Sequence, residues 1–241
     1  AGRAGSRCRS LVDAGVTSMP LLLTSIALPL PLGMGSVNCY LLRAREGFVL
    51  VDTGAPNARA RLHRMLEDSG CLPGKLNLIL ITHGDFDHAG NAAQLRRALG
   101  GQIGMHADDA RMAEIGDMFV NRSRPNAILR VLVPLLIGFG KAERFSPDVL
   151  LEDGTALAEY GLDARVIGLP GHSKGSIGIL TADGNFFCGD LLESTKEPGP
   201  GSIMDDRQAA LASMARLREL KIRMIYPGHG VPFSMDQLAS G

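Results

Sequence analysis

Residues 76–91 read LNLILITHGDFDHAGN. The apolar run LNLILIT has the unbroken character of a strand covered on both faces. Directly after it, two of the chain's six histidines and two aspartates fall within six positions, His83, Asp85, Asp87 and His88. Imidazole and carboxylate together are the ligands of borderline and harder divalent metals, and no cysteine is needed. Taken alone, HGDFDH has a solvated acidic loop as its competing reading.

Working outward, three more apolar strands end in a residue of the same chemistry. ARVIGLP runs into Gly171-His172, NFFC into Gly189-Asp190, and RMIYP into Gly228-His229. Glycine precedes the ligand-type residue each time, as suits a backbone that must leave a strand abruptly. Four strand ends thus offer His83, Asp85, Asp87, His88, His172, Asp190 and His229. Seven are too many for one tetrahedral ion and suit two divalent metals sharing a carboxylate and a water or hydroxide. With all four loops counted, surface coincidence is a poor explanation. His63, between Arg61 and Arg64, reads as a surface residue. His106 lacks a Gly or Asp partner in ligand spacing and reads as a helix cap or hydrogen-bonding residue. Cys188 reads as buried and inert. Asp52, closing the strand FVLVD, reads either as a carboxylate orienting a ligand or as a turn cap.

Around these loops the pattern alternates. NCYLLRAREGFVLVDTG is a hairpin turning near Glu46-Gly47. Residues 55–70 and NAAQLRRALGG are helices with glycine stops, and QIGMH is a short strand. SIGILTADG and NFFCGD are strands joined at Asp183-Gly184. DDRQAALASMARLREL is an amphipathic helix with Ala209, Leu211, Met214, Leu217 and Leu220 available for its apolar face. Residues 110–150 resist assignment. Within them AILRVLVPLLIGFG, broken by Pro134, suits a core helix, a lid or a dimer contact.

Lys plus Arg equals Asp plus Glu, 25 each, so no bulk charge favours a nucleic-acid partner. Four scattered cysteines give neither a disulfide frame nor a zinc finger, and a reducing, cytoplasmic setting is expected. LLLTSIALPLPL is too short for a membrane span and carries two prolines. Residues 1–18 read as a disordered leader or non-native residues, and 19–241 as a single domain.

At this point the sequence resembles the metallo-β-lactamase-fold hydrolases. The resemblance is carried by LPLPLGMGSVNCYLL, VDTG, HGDFDHAGN, GLPGHSKGSIGIL, FFCGDLL and YPGHG, and so covers most of the chain. It implies an α+β fold, a four-layered αβ/βα sandwich with two mixed β-sheets. It also implies His83, Asp85 and His172 on a first metal, Asp87, His88 and His229 on a second, and Asp190 bridging. The implied reaction is attack of a bridging hydroxide on an ester, thioester or lactone carbonyl of a small-molecule substrate, with Asp87 as the catalytic residue returning a proton. A glyoxalase II or lactonase-like branch is the nearest reading, although the helical domain by which glyoxalase II holds glutathione is not expected after His229.

One position departs from the family pattern. Asp85 stands where the family's HxHxDH motif has its second histidine. An anionic, oxygen-donating ligand makes a weaker Lewis acid and shifts preference from zinc toward iron or manganese. Zinc remains the first expectation. The alternatives are a non-flavin di-iron oxidoreductase of the same fold and a metal-binding scaffold without turnover. No nucleic acid and no membrane are expected as partners; a homodimer is an open expectation.

Overall fold

The computed structural model describes residues 22–120, 122 and 140–238. The leader expected over 1–18 and most of the apolar 127–140 segment lie outside the described residues.

Thirteen strands and five α-helices follow one another among the described residues. The first sheet orders β1 (Leu23–Pro29), β2 (Ser36–Arg43), β3 (Phe48–Val51), β4 (Leu76–Leu80), β5 (Gln102–Met105) and β6 (Val149–Leu150) side by side. Its first three strands are antiparallel and the rest parallel, as helical crossovers require. Helix α1 (Arg59–Asp68) links β3 to β4; α2 (Phe86–Ala89) and α3 (Ala92–Leu99) link β4 to β5. Helix α4 (Ala107–Ile115) follows β5.

The second sheet runs β13 (Phe233–Ser234), β12 (Met224–Pro227), β9 (Asn185–Gly189), β8 (Ile177–Thr181) and β7 (Ala164–Gly168). It is mixed too, β12 lying parallel to β9 and the other pairs antiparallel. A small ribbon of β10 (Leu192–Glu193) and β11 (Gly199–Pro200) stands apart, and helix α5 spans Arg207–Leu217.

The two-residue period of a strand divides the core into layers. Along β2, Cys39 and Leu41 join Leu62, Leu66, Leu95 and Leu99 from the helices on the outer face. Tyr40 and Leu42 point the other way, into a second cluster with Val166, Ile177, Ile179 and Phe187 of the facing sheet. On the far side, Ile167, Leu180 and Phe186 pack with Ala210 and Leu217 of α5. Helices, sheet, sheet and helix make the four-layered αβ/βα sandwich that the resemblance implies.

Expected strands and helices fall where the pattern puts them, with informative exceptions. The apolar run LLLTSIALPLPL contains β1, paired with β2 along its whole length. α4 begins three residues before the stretch that resisted assignment and runs into it. In α5 the buried residues are Ala210, Ser213 and Leu217, while Leu211 is half exposed. Met214 and Leu220 of the expected face pack against the same cluster, so the face turns only far enough to bring Ala210 and Ser213 inward. The cause is close approach: a Cβ on Gly171 would stand 2.5 Å from the Cα of Ala210, so only a face of small residues fits there.

Strand β2 also ties the two sheets together at one end. The Asn38 side chain donates to the carbonyls of Pro227 (3.0 Å) and Gly230 (2.8 Å), and its backbone N–H to that of Gly228 (2.8 Å). The Tyr40 hydroxyl donates to Pro227 O at 2.6 Å.

Candidate metal centre

The loops leaving β4, β7, β9 and β12 converge at one edge of the sandwich. They bring all seven ligand-type side chains together. Three sets have ligand atoms within 4.8 Å of one another: His83, Asp85 and His172; Asp87, His88 and His229; and His83, His88 and Asp190. The first two coincide with the pairs of ligand sets implied by the family resemblance, and Asp190 lies between them. Its Oδ2 is 3.7 Å from His83 Nε2, 3.4 Å from His88 Nε2 and 3.4 Å from His229 Nε2. Asp85 Oδ2 is 3.1 Å from His172 Nε2 and 3.8 Å from His83 Nε2. Asp87 Oδ2 is 3.4 Å from His229 Nε2.

Each imidazole is held from behind. His88 Nδ1 donates to Asp52 Oδ2 at 2.8 Å. The Thr82 hydroxyl donates to the same oxygen (2.8 Å) and therefore accepts from His83 Nδ1 (2.9 Å). His172 Nδ1 donates to Ile203 O, and His229 Nδ1 to Ser36 O, both at 2.8 Å. With Nδ1 carrying the proton, the lone pair is on Nε2, and all four Nε2 atoms face the centre. Metal-binding histidines are oriented in this way by their outer partners. Asp52 thus sets two imidazoles, one directly and one through Thr82, rather than serving as a turn cap alone. It does so from a left-handed backbone, φ 59°.

The fit to a cation is visible in what is left unsatisfied. His83 Nε2, His88 Nε2 and Asp190 Oδ1 are buried with no hydrogen-bond partner, an expensive arrangement unless something is meant to bind there. The surroundings act differently on two of the imidazoles. Burial works against a charged imidazole at His229, but hydrogen bonds to Asp190 and Asp87 outweigh it and push its pKa up to about 10. At His83 burial dominates, joined by His88 and His172, and the pKa falls well below the imidazole range. Gly228 is needed for closeness: a Cβ there would stand 2.1 Å from Asp190 Oδ1 and 2.6 Å from His88 Cε1.

Two residues of the centre carried no signal in the sequence. Asp109, buried at the start of α4, accepts from Gly84 N (3.0 Å), Ser173 Oγ (2.6 Å) and Gly175 N (2.9 Å), so it joins the His83 loop to the His172 loop. Arg122 reaches in from beyond α4: its Nη2 is 2.6 Å from Asp85 Oδ1 and 3.2 Å from His172 Nε2. Burial alone would raise Asp85, but Arg122 first and His172 next hold its carboxyl well below the usual carboxylate range. His106 caps α4, accepting from Asp108 N at 3.1 Å. His63 is half-buried on α1, away from the centre, and Cys188 is buried on β9.

A two-sheet sandwich with a histidine and aspartate centre at its edge defines a class of metallohydrolase-fold proteins. The family model of the metallo-beta-lactamase superfamily matches residues 32–229, and the chain belongs to that superfamily. A hydroxyacylglutathione hydrolase of Anaeromyxobacter dehalogenans is 32% identical over 153 residues, 64% of this chain and 45% of that protein. The human acyl-coenzyme A thioesterase MBLAC2 is 27% identical over 227 residues, covering 83% of this chain and 75% of that one. Among solved structures, TTHA1623 in a di-iron-bound form is 30% identical with a TM-score of 0.65, covering 86% of this chain and 93% of that one. The chain spans about half the length of the first curated relatives, 58% and 45% for two of them. Among the described residues no helix is long and apolar enough to cross a membrane.

Proposed function

We propose that the chain is a metal-dependent hydrolase that opens an ester, thioester or lactone at this centre. The observation that carries the reading is the common orientation of four imidazoles, each engaged at Nδ1 and each presenting Nε2 to a carboxylate oxygen. His83, Asp85 and His172 form one ligand set, Asp87, His88 and His229 the other, and Asp190 serves both. Divalent metal bound there supplies Lewis acidity toward a carbonyl oxygen and lowers the pKa of a water toward neutrality.

The chain's own residues do the rest. Asp52 and Thr82 keep His83 and His88 in the tautomer that leaves Nε2 free. The carbonyls of Ile203 and Ser36 do the same for His172 and His229. Asp87, beside His229 at the mouth of the second set, is the carboxylate that returns a proton to the leaving group through Oδ2. The thioester option is supported by the two relatives named for acylglutathione and acyl-coenzyme A hydrolysis.

Zinc is the metal we expect first. A second reading, a di-iron redox protein, is favoured by the carboxylate at position 85 and by the di-iron form of TTHA1623. The test is elemental analysis of protein purified without added metal, followed by ester, thioester and lactone assays before and after chelation. Turnover that is lost with a chelator and restored by zinc supports the hydrolase. Bound iron with visible absorbance that bleaches on reduction favours the redox reading. Full metal loading with no turnover on any acyl substrate would leave only a binding scaffold.

A further inference from the structure

Asp85 is the one ligand that departs from the family's histidine, and Arg122 is the one guanidinium among the described residues recorded against a ligand atom of the centre. The two observations explain each other. Arg122 Nη2 lies 2.6 Å from Asp85 Oδ1 and 3.2 Å from His172 Nε2. It therefore uses one donor atom from each of two members of the first ligand set. The side chain is 8% exposed, as buried as the carboxylate it meets. His172 Nδ1 is committed to Ile203 O, so the lone pair on Nε2 is the only one its ring can offer. The same Nε2 also stands 3.1 Å from Asp85 Oδ2; whether it donates to that carboxylate or accepts from the guanidinium, it has no lone pair left for a metal.

We propose that Arg122 is the resident cation of the first ligand set, and that this chain accordingly holds a single metal ion, on Asp87, His88, His229 and Asp190. This rests on the reading of the centre as metal-binding and changes its stoichiometry from the two ions that the ligand count predicts.

Charge supports it. Asp85, Asp87 and Asp190 bring three negative charges; one divalent ion and one guanidinium balance them. Arginine stays protonated at any working pH, and its planar fork suits a carboxylate better than a point charge does. Because it is tethered, it competes with free metal at an effective concentration on the order of millimolar. With histidine at position 85 the guanidinium would face only neutral rings and have nothing to hold it. Asp85 is thus the residue that admits Arg122. The second set is different: among the described residues, the ion pairs of Asp87 and Asp190 are with imidazoles alone. His88 Nε2 and Asp190 Oδ1 there have no hydrogen-bond partner, whereas in the first set His83 Nε2 alone of the ligand atoms lacks one.

The test is metal stoichiometry on the full chain. Protein stripped of metal is reloaded with zinc, freed of excess by gel filtration, and analysed for zinc and protein. The wild type is expected to carry one zinc per chain, and Arg122→Ala two. Asp85→His, which removes the guanidinium's partner and restores an imidazole, is also expected to carry two and serves if Arg122→Ala is poorly folded. Two zinc ions in the wild type would overturn the proposal and leave the metal-binding reading intact. One zinc in the wild type and still one in both folded variants would also overturn it, since something other than Arg122 would then be excluding the second ion. No zinc in any of the three would remove the metal-binding reading itself, and the proposal with it.

Discussion

Asp52→Asn is the substitution that isolates how the centre is held. Asp52 is 2% exposed and accepts three hydrogen bonds, from Thr82 N, Thr82 Oγ1 and His88 Nδ1. Asparagine keeps the shape and tolerates the left-handed backbone at φ 59°, where alanine would add roughly 1–2 kcal/mol of strain. Its carbonyl can still accept from Thr82 N. Its amide then faces the Thr82 hydroxyl and His88 Nδ1–H, donor against donor. Two hydrogen bonds to a buried carboxylate are lost, each roughly 1.5–3 kcal/mol, so ~3–6 kcal/mol is the ceiling on the cost. Rotation of the Thr82 hydroxyl recovers part of it, but His83 then loses the acceptor that fixed its tautomer. Loss of such an outer partner weakens metal affinity roughly 10–100-fold, or ~1.4–2.7 kcal/mol. Competition for zinc against a chromophoric chelator measures that, and urea melts of the metal-free protein measure stability separately. Zinc affinity within twofold of wild type would refute the role given to Asp52.

Four further outcomes are expected. Gly228→Ala puts a methyl against Asp190 and His88, so metal content should fall sharply in elemental analysis, with the circular dichroism spectrum retained. Gly171→Ala drives a methyl into the backbone of α5 and should cost ~1–3 kcal/mol of overpacking, read from the urea midpoint. Asp109→Ala leaves Gly84 N and Gly175 N without their acceptor, while Ser173 Oγ keeps Ser176 Oγ as a partner; at roughly 1–3 kcal/mol for each unsatisfied group, a loss of at least ~2 kcal/mol is expected. Removing bound metal should lower the melting temperature, because a ligand at a thousand times its Kd contributes ~4 kcal/mol to the folded state; an unchanged melt would count against a metal-filled centre.

The loops that end β4, β7, β9 and β12 were legible because their chemistry is local: an apolar run, then a ligand-type residue, with a glycine between them in the last three. The two-sided burial of LNLILI was legible for the same reason. Asp109 and Arg122 were not. Each acts across a long sequence separation on an atom whose position only the tertiary fold sets, and neither sits at the end of a patterned strand. On α5, Leu217, Met214 and Leu220 of the expected face do pack inward, but Ala210 and Ser213 stand in for Leu211 at the closest approach, where backbone contact at Gly171 selects small residues. β1 was hidden inside an apolar run whose prolines disguised the strand; Pro29 in fact ends it, at the sheet's edge.

The tie between β2 and the His229 loop has a consequence for how the molecule assembles. His83, Asp85, Asp87 and His88 come from the loop that leaves the first sheet; His172, Asp190 and His229 come from the second. Asn38 and Tyr40 of the first sheet grip the backbone on either side of His229. Neither half can complete the centre on its own. A correctly shaped centre therefore certifies that the two halves have docked in register, and metal capture becomes a checkpoint late in folding rather than a seed for it.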